Sequence, residues 1–145
     1  MLEPYHNARV NGNTIHISGT LQELYDFVIG RLAGQGKRSV SLTEDNEPHC
    51  CYYNPCENIA CAVGHIHPTF FHQWDGDEEL SLQEGLRTTS VTITSDVPDM
   101  IELLMALQNT HDLSLYPETL VHYSEGVADR FSLSSDILNE VTEWC

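Results

Sequence analysis

The chain of 145 residues, 41% of them hydrophobic, is long enough to bury one core and has no apolar run of the roughly eighteen residues that cross a bilayer. Twenty-two Asp and Glu against six Lys and Arg give a formal charge of −16, with two of the bases and nineteen of the acids lying from Ser39 onward. A body of that sign repels phosphate backbones and anionic membrane surfaces, which weighs against direct nucleic-acid or membrane binding. It attracts basic protein grooves instead, although a solubility surface is the plainer reading of the same charge.

Met1–Thr14 shows no basic region followed by an apolar stretch, so no signal peptide is expected and the setting is expected to be reducing. There, five cysteines serve more readily as ligands, reactive thiols or small core residues than as disulfides. Ala8–Ser18 reads as a hairpin over residues 1–19, with Asn11-Gly12 as the turn and Ile15 and Ile17 alternating with polar neighbours. Thr20-Leu-Gln-Glu23 is a capping box, followed at helical spacing by Leu21, Leu24, Phe27, Val28, Arg31 and Leu32, with Gly34 and Gly36 as the stop. Ser39–Leu42 alternates as a short strand, and a polar turn over Glu44–Pro48 follows.

Residues 49–72 then hold four of the five cysteines and four of the eight histidines. Cys61–Ile66 fits either a strand or one helical turn, closed by Pro68. Trp74–Glu79 is an acidic stretch without the ligand order of a calcium loop. Val91–Thr94 alternates as a strand. Asp96 and Pro98 open a helix carrying Met100, Leu103, Leu104 and Leu107, which is expected to end near Asn109 with His111 and Asp112 just beyond it. Pro117 opens another helix through Phe131, with Leu120, Val127 and Phe131 inward. Ser135 caps a last helix within residues 134–145 carrying Ile137, Leu138, Val141 and Trp144. A single, compact, helix-rich α+β domain with a small antiparallel sheet or hairpins is the expected fold.

Three chemistries fit the Cys/His segment. Cys51, Cys56 and Cys61 with His65 or His67 supply the four soft ligands of a structural zinc site, although the tight Cys-x₂-Cys knuckle is missing. Cys61 or Cys51 could be a nucleophile with His111 as base, Asp112 orienting His111 only if its side chain folds back. The third reading is structural: the cysteines pack as small hydrophobes, and His111 covers the carbonyls at a helix end.

Cys51-Tyr-Tyr53, Cys61-Ala-Val-Gly64-His-Ile66-His-Pro68, Leu107-Gln-Asn-Thr-His111-Asp112 and Val127–Leu133 come in an order that resembles a group of small, functionally uncharacterised proteins of tailed phages. The likeness spans roughly residues 20–133 and carries no activity with it. It implies a phage or prophage origin and a place in the cytoplasm of the infected cell. Cys51, Tyr53, Cys61, Gly64, Ile66, Pro68, His111 and Asp112 fall on matching positions. Cys50, Cys56, His65, His67 and His72 do not, so a metal site built from those would be peculiar to this chain.

Charge and resemblance together lead to an expected phage accessory protein that binds a host protein at a basic, nucleic-acid-binding groove, as a takeover or counter-defence inhibitor. The acids Asp75, Asp77, Glu78 and Glu79 are the expected contact residues. A Cys/His-dependent hydrolase or transferase acting on a small substrate is the alternative, and a minor virion or assembly component is a third.

Overall fold

The computed structural model describes residues 3–35, 40–42, 48–50, 53–54, 58–72, 92–113 and 117–141. Strand β1 (Ala8–Asn11) pairs antiparallel with β2 (Thr14–Ile17), so the turn is Gly12-Asn13, one residue later than the sequence suggests. Gly12 takes φ +61° while Asn13 stays at negative φ, the pattern of a type II′ hairpin with glycine first. This register points Ile15 and Ile17 into the core.

Helix α1 (Leu21–Gln35) starts at the capping box: Glu23 N–H donates to Thr20 Oγ1 at 3.1 Å, and Thr20 N–H donates to Glu23 Oε1 at 3.2 Å. Two short antiparallel pairs follow, β3 (Val40–Leu42) with β4 (Pro48–Cys50) and β5 (Tyr53–Asn54) with β6 (Ile59–Ala60). Cys61–Ile66, open between strand and helix in the sequence, is helical, as α2 (Ala62–Ile66). His67 is extended, and Pro68 both ends that turn and opens α3 (Pro68–His72), where its missing N–H costs nothing.

Strand β7 (Thr92–Thr94) joins β2 in parallel, Ile93 beside Ile15, so the three-stranded sheet is mixed rather than purely antiparallel. Helix α4 (Met100–Leu113) and helix α5 (Pro117–Arg130) follow. The last element is a 3-10 helix (Asp136–Val141) where an α-helix was expected; Trp144 lies outside the described residues.

The core lies where α1, α2, α4 and the sheet meet, filled by Leu24, Val28, Ile29, Ile66, Leu103, Leu104 and Leu107. Both ends of α1 are tied down by glutamines. Gln22 accepts from Ser134 N–H at 2.8 Å and donates to Ser134 C=O at 2.9 Å, while Gln35 makes the same two-bond clasp on Ala60, 2.9 Å each way. Backbone polar groups of Ala60 in β6 and of Ser134 before the 3-10 helix thus find side-chain partners.

Candidate functional site

The described part of the Cys/His segment converges with the C-terminal turns of α1 and α4. Cys61 is the N-cap of α2: its backbone is extended, its carbonyl takes His65 N–H at 2.9 Å and its Sγ takes Gly64 N–H at 3.3 Å. A thiol there serves as Ser or Asp would in other caps. It is 1% exposed.

Val63 N–H, another of the unpaired donors of that first turn, goes to Gln108 Oε1 at 3.0 Å. An amide N–H only donates, so Gln108 must turn its oxygen toward Val63, and its Nε2 then donates to Asp112 Oδ1 at 3.2 Å. The same Oδ1 accepts from His111 Nδ1 at 2.9 Å. A polar chain thus runs from the start of α2 through Gln108 and Asp112 to His111.

Asp112 therefore orients His111, the arrangement that a Cys/His reaction would need, but not by the expected route. The helix does not end near Asn109; it continues to Leu113, placing His111 and Asp112 in the last turn of α4 rather than beyond it. Helical continuation follows from burial. Thr110 is inward with its hydroxyl donating to Ala106 C=O at 3.0 Å, and His111 is 2% exposed. Neither could leave the helix without exposing that packed face.

His65 stands opposite. Its Nε2 lies 2.8 Å from Gln35 Oε1, which also accepts Ala60 N–H. Because that oxygen only accepts, Nε2 carries the proton and Nδ1 holds a bare lone pair. Nδ1 is buried without a hydrogen-bond partner. Burial, with Arg31 and His111 adding to it, pushes the His65 pKa down to about 3, so the ring is neutral at neutral pH. His67, half-buried, accepts Phe70 N–H on Nδ1 at 3.2 Å and so caps α3; burial holds its pKa below the ordinary value.

Of the expected zinc ligands, Cys51 and Cys56 lie outside the described residues. Cys61 and His67 are engaged as caps, and among the described residues no three His, Cys, Asp or Glu stand together as a metal would require. Asp75, Asp77, Glu78 and Glu79 also lie outside the described residues. Gln35 and Gln108 were missed by sequence reasoning: a glutamine clasping backbone 25 or 45 residues away leaves no local pattern.

Compared with protein-family models, with curated proteins and with solved structures, the chain has no match.

Proposed function

We propose that the protein is an acidic phage accessory protein that acts in the host cytoplasm by binding a host protein with a basic groove, such as a nucleic-acid enzyme, a transcription factor or a defence protein. The observation that carries this reading is how the charge is held. Every Asp and Glu whose side chain is described is exposed or half-buried. Their ion pairs among the described residues are to histidines: His6–Glu23 at 3.8 Å, His16–Asp96 at 3.3 Å and His111–Asp112 at 2.9 Å. The guanidinium groups of Arg31 and Arg130 lie over the rings of Phe27 and Phe131, 5.0 Å from each centroid. Among the described residues the ion pairs of the carboxylates are thus with histidines rather than with Lys or Arg, and none of these carboxylates is buried, in a chain whose formal charge is −16. Cys61, His65 and His111, by contrast, are buried, and Cys61 and His67 cap short helices by accepting backbone N–H groups.

The second reading, a Cys/His hydrolase or transferase, draws on the His111–Asp112 hydrogen bond. Against it, Cys61 and His111 are buried, 1% and 2% exposed, and the Cys61 thiol is already engaged by Gly64 N–H.

The test is capture of host proteins on the immobilised chain at low salt, followed by elution with double-stranded DNA. The expected result is a nucleic-acid-binding protein that DNA displaces, since both ligands would compete for one groove. Cys61→Ser and His111→Ala should not affect the capture. Capture that DNA cannot reverse, or that either substitution abolishes while the protein stays folded, would overturn the reading.

A further inference from the structure

The surface of α5 that faces solvent beside α4 carries a groove of about 440 Å³, with Ala106 and Asn109 of α4 on one wall and Tyr123, Glu125, Gly126 and Asp129 of α5 on the other. Three features of that wall are not explained by folding. Gly126 sits in the middle of α5 with ordinary helical φ, and a Cβ added there would meet nothing within 4 Å. Neither backbone nor packing requires glycine at that position, where it weakens the helix relative to alanine. Glu125 and Asp129 stand four residues apart on one face, both exposed, and like charges at that spacing repel. Tyr123, at 39%, is among the most exposed large hydrophobic side chains of the described residues. Arg130 also borders the groove, but its guanidinium is drawn over the Phe131 ring.

A missing side chain on the floor, two carboxylates on the rim and an exposed tyrosine complement one kind of occupant. We propose that this groove seats a basic peptide segment of the partner protein, with its Lys or Arg side chains on Glu125 and Asp129 and its backbone crossing over Gly126 against Tyr123. The proposal rests on the reading of the partner as basic and adds where on this chain it docks. Tyrosine offers a large, stiff contact surface at low entropic cost. The open position over Gly126 lets a second backbone approach more closely than any other residue would permit.

The probe is a short synthetic peptide of lysine and leucine in amphipathic order, titrated into the isotope-labelled full chain, with its glutamate-for-lysine counterpart as control. Shift changes should gather at Ala106, Asn109, Tyr123 and Gly126, and the control should not bind. Gly126→Leu, which fills the floor, should weaken binding about tenfold or more while the chain melts no lower than before. The pair Glu125→Gln and Asp129→Asn should weaken it similarly. If the lysine peptide binds Gly126→Leu with unchanged affinity and its shifts map elsewhere, the groove is the wrong place while the basic-partner reading stands. If it does not bind the unsubstituted chain even at low salt, both fail.

Discussion

Gln35 and His65 share one hydrogen bond that fixes the state of both side chains. Gln35 Oε1 takes the His65 Nε2 proton at 2.8 Å while the same amide grips both backbone groups of Ala60 at 2.9 Å. The end of α1 is thereby joined to β6 and to α2 by one residue, and the turn holding Cys61 is held between Gln35 on one side and Gln108 on the other.

Gln35→Ala should therefore cost far more than a half-buried glutamine usually does. It orphans the Ala60 N–H and C=O and the His65 Nε2–H, with Ala60 and His65 both buried. Buried unsatisfied groups cost about 1–3 kcal/mol each, so with three of them a loss of about 3 kcal/mol or more is expected from denaturant unfolding. A loss within about 0.5 kcal/mol, the range of ordinary surface substitutions, would contradict the clasp.

The pH dependence carries a definite sign. His65 has its pKa lowered from 6.5 to about 3 by burial, so between those values the unfolded chain binds the proton and the folded chain does not. Its contribution to stability is fully present above 6.5 and is lost as pH falls toward about 3, by up to about 1.4 kcal/mol per pH unit. His65→Gln can still donate from Nε2 to Gln35 and does not titrate. The stability gap between the two proteins should narrow, or reverse, as the pH is lowered from 7 to about 4. A gap constant over that range would mean that His65 is not buried in its neutral form.

At the end of α5, Leu133 N–H reaches Ala128 C=O at 2.8 Å and Ser132 N–H reaches Asp129 C=O at 3.3 Å, with Ser132 at φ +57°. That is a Schellman ending with serine where glycine is the unstrained residue. Ser132→Gly should stabilise the protein by about 1 kcal/mol, read as a raised melting temperature. A lowered one would contradict the assigned backbone.

How far the sequence carried this picture depended on whether a feature was local. Thr20 and Glu23 announce their own hydrogen bonds because both partners lie within one helical turn, and Ile15 and Ile17 declare their face by alternation. The end of α4 was misjudged because Asn109-Thr110 resembles a stop, whereas Thr110 satisfies its hydroxyl within the helix and turns inward. His111 and Asp112 were identifiable by type but not by geometry, since adjacent residues on a helix do not ordinarily face each other. Gln22, Gln35 and Gln108 were invisible: each acts on backbone far away in the chain, and nothing near them in sequence marks it.

Self-repulsion should make stability sensitive to salt. The described carboxylates are exposed or half-buried and their ion pairs among the described residues are to histidines, so adding salt at neutral pH should raise the melting temperature as the Debye length shrinks to about 8–10 Å and below. A melting temperature that salt leaves unmoved would mean that the acids are compensated in the fold, and would weaken the charge argument itself.

The most direct measurement of the central claim is the association rate with the captured host protein as a function of ionic strength. It should be made for the unsubstituted chain and for one in which Asp75, Asp77, Glu78 and Glu79 are replaced by their amides. If an outward acidic body is steered into a basic groove, the rate should fall steeply with salt, on the order of tenfold from low to physiological ionic strength. The amide variant should start slower and fall less. A rate independent of salt and equal in the two proteins would contradict the account.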